Sequence, residues 1–186
     1  MRRSIVPMLV VASALSTPLA AQGAWSVGFA ATVGGGWQVE ALDIVRMQRV
    51  HAGPFRWAAI GGRAGAFVDE GAIVGGSQGL LGGLVVQTRT GLMRIADVGN
   101  ESNPSSFGLD LTFEAVGYAG KNTPLTGIGS PWGGFSVLPG LRFGDPESFR
   151  FGLVIGPTLF VGQQTDVRAF LGLRFELPTV HRTSHP

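Results

Sequence analysis

Apolar and polar residues alternate with a period of two along most of this chain. In residues 148–161 the odd positions read Phe149, Phe151, Leu153, Ile155, Pro157, Leu159 and Val161. The even positions read Arg150, Gly152, Val154, Gly156, Thr158 and Phe160. Residues 166–177 repeat the scheme, with Val167, Ala169, Leu171, Leu173, Phe175 and Leu177 against Asp166, Arg168, Phe170, Gly172, Arg174 and Glu176. Successive side chains of a strand point to opposite faces, so this period sorts each segment into an apolar face and a charged or small face.

Five earlier segments read the same way, and a sixth less cleanly. Residues 24–34 set Trp25, Val27 and Phe29 against Ser26, Gly28 and Ala30; residues 55–68 carry Arg63 in mid-strand, opposite Ile60 and Ala64. Residues 79–92 set Leu84 and Val86 against Gln87 and Arg89, with Thr88 and Thr90 falling on the apolar side. Residues 108–119 set Leu109, Leu111 and Phe113 against Asp110 and Glu114, and residues 133–143 set Phe135, Val137 and Leu141 against Ser136 and Arg142. Residues 37–50 keep no clean phase, because Asp43 spoils one face and Glu40 with Arg46 the other; a bulge near Ala41-Leu42 would restore it. Gly34-Gly35-Gly36, Gly53-Pro54, Gly144-Asp145-Pro146 and Gly162-Gln163-Gln164 are turn signals. Residues 69–78 and 120–132 read as longer loops, the polar stretch 97–106 as a connection, and 178–186 as a disordered tail. The expectation is an all-β, eight-stranded antiparallel up-and-down barrel over residues 22–177.

The N-terminus adds a compartment. Arg2 and Arg3 precede an apolar stretch, and Ala20-Ala21 supplies small residues for cleavage, so residues 1–21 read as a secretory signal peptide cut near Ala21. The formal charge is +2, and loss of Arg2 and Arg3 brings it to about zero. No basic patch argues for nucleic acid. The chain has no cysteine, which excludes thiol chemistry and fits an exported protein without disulfides. After the leader no apolar run reaches the roughly 20 residues of a membrane-spanning helix.

Alternation alone does not say which face is inside. Three features turn the apolar face outward, to lipid. Glycine is concentrated on the charged face of the last two strands, making room for arginine in a narrow lumen. Trp25, Trp37, Trp57 and Trp132 fall near strand ends, where aromatic girdles belong. The signal peptide directs export. Lipid-facing positions are then Trp25, Val27, Phe29, Leu109, Leu111, Phe113, Phe135, Val137, Leu141, Phe149, Phe151, Leu153, Ile155, Leu159, Val167, Leu171, Leu173 and Phe175. A lumen network follows from Arg63, Arg89, Asp110, Glu114, Arg142, Arg150, Asp166, Arg168, Arg174 and Glu176. On this assignment Leu153→Arg blocks insertion and Gly152→Arg is milder.

In this architecture residues 24–177 resemble the small bacterial outer-membrane β-barrels of the OmpA-transmembrane-domain and OmpX-like type. The resemblance implies the outer membrane, contact with lipid and lipopolysaccharide, help from the barrel-assembly machinery, and a monomer. Members commonly end in an aromatic residue; here Phe175 is followed by eleven more. Pro139 and Pro157 inside strands are a second departure.

Candidate chemistry is sparse. His51 lies in a turn, and His181 and His185 lie in the tail. Asp97, Asn100, Glu101 and Asn103 offer oxygen ligands in no EF-hand spacing. The glycine runs lack the Lys-Ser/Thr of a phosphate loop. The expectation is a non-enzymatic barrel without metal or cofactor, acting structurally or through its loops. The alternatives are a soluble, lipocalin-like periplasmic carrier of an apolar ligand and, more remotely, a lipid-modifying barrel enzyme centred on His51 or a narrow channel.

Overall fold

The computed structural model describes residues 23–34, 37–69, 78–100, 103–120, 131–144 and 149–179. They form nine strands: β1 (Gly23–Gly34), β2 (Trp37–Ala52), β3 (Phe55–Asp69), β4 (Gln78–Thr90), β5 (Met93–Asn100), β6 (Asn103–Gly120), β7 (Trp132–Gly144), β8 (Arg150–Val161) and β9 (Thr165–Thr179). All pairings are antiparallel between neighbours in the chain, except two that close the ring: β1 with β9, and β4 with β6. The wall has eight positions because β4 and β5 share one. β4 pairs with the second half of β6, from Arg89↔Thr112 to Leu81↔Gly120. β5 continues in the same direction along the first half, from Met93↔Leu109 to Asn100↔Asn103.

The register sets the tube's width. Stepping across paired residues from Gly23 through Gln48, Ala58, Thr88, Phe113 and Val137, then along the unchanged register over the gap in the β7–β8 ladder to Pro157, and on to Ala169, returns to β1 at Val33, ten positions along from the start. For eight strands a stagger of this size corresponds to a tilt of about 40° and an interior wide enough only for side chains. Strand parity then decides every residue's side. Ser26, Asp43, Arg63, Gln87, Glu114, Ser136, Thr158 and Arg174 are buried inside. Phe29, Leu84, Ile155 and Val167 are exposed outside.

Three expectations are corrected. No bulge interrupts β2 near Ala41-Leu42: its register with β1 runs unbroken from Gly34↔Trp37 to Gly23↔Gln48. Instead Asp43 faces inward beside Val45 and Met47, while Arg46 faces outward with its guanidinium 5.2 Å from the Trp25 ring. The strand looked irregular because its inner face is itself mixed. The polar stretch 97–106 is not a loop but the body of the β5–β6 hairpin. β3 ends the shared ladder at Phe55↔Thr90, with Gly91 N–H donating to the Pro54 carbonyl at 3.3 Å, so β5 pairs on one side only. Finally, β9 runs on through Pro178 and Thr179, which pair with Ala24 and Gly23. The signal peptide 1–21, the remainder of the tail and the interiors of the two longer loops lie outside the described residues.

Pro139 and Pro157 share one place. The β7–β8 ladder is assigned at Ser136↔Thr158 and resumes at Gly140↔Val154; both prolines fall in the gap. Each lacks an N–H, so placing both in the same gap confines the irregularity of this ladder to one interruption. The buried hydroxyls of Ser136 and Thr158 bond to each other at 2.7 Å beside it. Gly156 lies in the same gap, and a β-carbon there would run into the Val137 carbonyl oxygen. Gly156→Ala is therefore expected to lower stability by about 1–3 kcal/mol through forced backbone displacement. Gly117→Ala, where a β-carbon meets nothing within 4 Å, should not share this loss. Unfolding midpoints of the two variants check it.

Candidate functional site

The lumen holds two knots of charge, each neutral in sum. In the first, β2 supplies Asp43, β3 Arg63, β6 Glu114 and β9 Arg174. Arg63 donates from Nε and Nη2 to Asp43, the latter bond 2.8 Å long, and its Nη1 lies 2.8 Å from Glu114 Oε1. Arg174 Nη2 donates to Glu114 Oε2 at 2.9 Å and stands 3.5 Å from Asp43 Oδ2. Gln87 Nε2 donates to the same Glu114 oxygen at 2.7 Å, and Arg63 Nη1 donates to the Tyr118 hydroxyl at 2.9 Å.

The second knot joins Arg89 of β4, Asp110 of β6, Arg142 of β7 and Glu176 of β9. Arg142 donates from Nε to Asp110 Oδ2 at 2.9 Å and from Nη1 to Glu176 Oε1 at 3.0 Å. Arg89 donates to both Glu176 oxygens and approaches Asp110 Oδ2 at 3.4 Å. Glu114 and Arg142 are each only 1% exposed. Such groups persist in a low-dielectric interior only when geometry and hydrogen bonding repay their desolvation. A cavity of about 10 Å³ beside Arg89, Arg142, Arg174 and Glu176 is the open space at the knots.

Glycine and aromatic residues complete the packing. A β-carbon on Gly152 would overlap the Arg142 guanidinium, and one on Gly28 would come within 3.2 Å of Arg174 Cγ. The loop end is filled by Tyr118 stacked on Trp132 at 5.2 Å, with Phe160 set edge-on to Tyr118 at 6.1 Å. Leu138, Val154 and Phe170 form a second apolar cluster, and the Arg63 guanidinium sits 5.3 Å above the Phe170 ring.

Of the ten residues named for the lumen, Arg63, Arg89, Asp110, Glu114, Arg142, Arg174 and Glu176 make up the knots together with Asp43, and Arg150 is buried beneath them at the terminal end. Arg168 is buried near the other end and donates to Asp166 at 2.8 Å, whose carboxylate is partly open to solvent. Asp43 and Tyr118 were not named. Asp43 had been read as a blemish in β2, and its parity with Arg63 across the ladder, Asp43↔Arg63, was the signal.

The outward set is placed on the outer wall. Trp25, Phe29, Phe135, Leu141, Phe149, Ile155, Leu159, Val167, Leu171 and Leu173 are exposed. Val27, Leu109, Leu111, Phe113, Val137, Phe151, Leu153 and Phe175 are half-buried by their neighbours. The outward Thr88 and Thr90 satisfy their hydroxyls locally. Thr88 donates to the Trp57 carbonyl at 3.2 Å; Thr90 donates to the Gly91 carbonyl at 3.3 Å and accepts from Leu111 N–H at 3.0 Å.

One expectation fails here. The tryptophans do not all join an outer girdle: Trp25 faces outward, but Trp132 is buried in the lumen and Trp57 packs inward with Arg89 and Arg49 each 5.5 Å from its ring, while the Trp37 side chain lies outside the described residues. Strand ends hold inward as well as outward positions, and nearness to an end does not choose between them. A side chain at position 152 would meet the Arg142 guanidinium. His51 is exposed and shares the terminal-end cavity with arginines rather than with a Ser and a free carboxylate. Asp97 stands 3.5 Å from Arg94 on the exposed hairpin.

Comparison with protein-family models, curated proteins and solved structures finds no match.

Removing one partner from a buried pair strands the other, at a cost of about 3–5 kcal/mol. Glu114→Ala should fall in that range, because Arg63 and Arg174 both lose their shared acceptor. Adding Arg174→Met should recover part of it. A double-mutant cycle on denaturant midpoints measures the coupling, and strict additivity of the two losses would show that the knot is not a unit.

Proposed function

We propose that this protein is an integral bacterial outer-membrane β-barrel with a structural or surface-interaction role borne by its loops, its lumen plugged by the two charge knots. The observation that carries this reading is the inversion of the usual globular pattern: a closed wall with apolar residues outside and paired charges within. In hydrocarbon every backbone polar group needs a partner inside the protein, and a closed ring provides that without an edge. A soluble barrel gains nothing by exposing Leu80 and Leu84 at 75% and 72% while burying six arginines.

The outer wall is also banded. Leu109, Leu141, Leu153, Leu173, Phe29 and Leu42 are consecutive cross-strand partners and make a continuous belt. Towards the terminal end lies a second row, Phe107, Phe143, Phe151 and Phe175, again paired in sequence. This phenylalanine row takes the place expected of tryptophan. Along β9 the apolar outward positions run from Val167 to Leu177. At 3.3 Å per residue and a tilt near 40° that span is about 25 Å high, the height of the apolar band of such barrels. Arg46 and Trp25 sit level with Leu177, at the rim, where an arginine stem can reach water.

The β5–β6 hairpin fits the same picture. Its free edge leaves backbone groups unpaired, so it belongs in the aqueous phase beyond the terminal rim. The connections 70–77 and 121–130 leave from the opposite end and are the surface-facing loops of this proposal. The lipocalin-like alternative needs a ligand-sized apolar hollow, whereas the space beside the knots is about 10 Å³ and the larger cavity at the terminal end is lined by arginines. The reading includes no enzymatic activity, cofactor or metal. It includes a monomer that contacts lipid and lipopolysaccharide and is inserted by the barrel-assembly machinery after removal of residues 1–21.

Cell fractionation with heat-modifiable gel mobility tests it: the protein should stay with the membrane until detergent is added. Recovery in the aqueous fraction without detergent would defeat the proposal. Leu153→Arg, on the leucine belt, should cost about 2–4 kcal/mol and deplete the inserted form. Val98→Arg, on the hairpin, should insert normally. Equal behaviour of the two would contradict this placement of the bilayer.

A further inference from the structure

Counting the buried charges leaves one over. Asp43 and Glu114 balance Arg63 and Arg174; Asp110 and Glu176 balance Arg89 and Arg142; Asp166 balances Arg168. Among the described residues Arg150 has no carboxylate of its own. It is 91% removed from solvent, its exposure being 9%, and its Nε is buried without a hydrogen-bond partner. The nearest acid, Glu176, already accepts from Arg89 and Arg142.

Arg150 lines a cavity of about 340 Å³ at the terminal end of the barrel. The β2–β3 turn region contributes Arg49 and Arg56, and β5 contributes Arg94 from just beyond the interruption between β4 and β5 at Gly91-Leu92. Glu176, at the cavity's inner wall, is its one lining carboxylate among the described residues. The Trp57 ring separates the Arg49 side of the cavity from Arg89 in the knot. Arg56 donates only to carbonyl oxygens, those of Gly53 at 2.7 Å and Phe55 at 3.2 Å, and Arg94 meets Asp97 at 3.5 Å in open solvent. Four guanidinium groups from four separate strands or turns thus converge on a space that holds about ten water volumes at ~30 Å³ each.

We propose that this cavity binds a phosphate-bearing anion. The concentration of arginine calls for an oxyanion, since guanidinium forks match carboxylate and phosphate oxygens. A single carboxylate brings one charge in one plane and is satisfied by one fork. A phosphate group brings up to two charges and three acceptor oxygens disposed in three dimensions, which suits donors arriving from several sides. Arg150, which lines the cavity and is paired with no described carboxylate, gives the anion a buried anchor, and the exposed Arg56 and Arg94 stand at the mouth. The anion is either a free phosphate or phosphate monoester, or the headgroup of an anionic phospholipid. The proposal does not rest on membrane insertion, because a soluble barrel would carry the same cavity.

The full-length protein in a neutral detergent, titrated calorimetrically at low salt, tests it with three probes: inorganic phosphate, soluble short-chain phosphatidylglycerol, and glutarate as a dicarboxylate. Binding of phosphate and the lipid alike assigns the site to free phosphates; binding of the lipid alone assigns it to the headgroup. In either case Arg150→Met should weaken affinity at least tenfold, and Arg56→Gln, an exposed change outside both knots, severalfold. If Arg150→Met disturbs folding, Arg56→Gln together with Arg94→Gln replaces it, with the same tenfold loss expected. Glutarate binding as tight as phosphate, no binding of any probe, or affinity unmoved by these variants overturns the proposal.

Discussion

The barrel depends on neutralising arginine inside a tube too narrow for water to do it. Six arginines are buried, and a guanidinium does not lose its proton to escape the cost. Their carboxylates therefore have to be delivered to fixed heights by different strands. Glu114 reaches two arginines and Gln87 from β6, and Glu176 reaches two arginines from β9. Because β6 and β9 lie on different sides of the ring, each knot ties together strands that never hydrogen-bond to one another. The ladder holds neighbours; the charges hold the cross-section.

That requirement explains the glycines better than flexibility does. An arginine laid over the inner wall of a lumen this narrow needs a neighbouring inward position without a side chain. Gly152, its cross-strand partner, supplies it for Arg142, and Gly28, likewise its partner, for Arg174. Large and absent side chains alternate around the interior, and the charged middle is closed towards the loop end by Tyr118, Trp132 and Phe160. The arrangement is rigid by construction, which leaves the loops and the terminal end as the places where function can vary.

The wall concentrates its irregularities. The two prolines fall in one interruption of the β7–β8 ladder, and the free backbone edge is confined to the hairpin that extends past β3. Elsewhere the outer hydroxyls of Thr88 and Thr90 bond to backbone groups beside them. Each device keeps unpaired polar groups out of the apolar belt, consistent with the proposed lipid surroundings.

How much of this could be read from residues alone follows from the range of each interaction. Period-two alternation is local, so the strands, their number around the wall and which residues share a face were legible in runs such as 149–161 and 166–177, though not which face turns inward. β2 was not, because its inner face mixes Asp43 with Val45 and Met47, and alternation carries no signal when both classes share a side. The hairpin of β5 and β6 was missed for a related reason: a strand in water on both faces has no apolar stripe to announce it. Which carboxylate meets which arginine, that Trp57 and Trp132 turn inward, and that Arg150 is left without a described carboxylate of its own were decided only by the ten-residue stagger of the closed ring. Stagger is a property of all eight wall strands together, and it sets which inward residues share a height across the lumen.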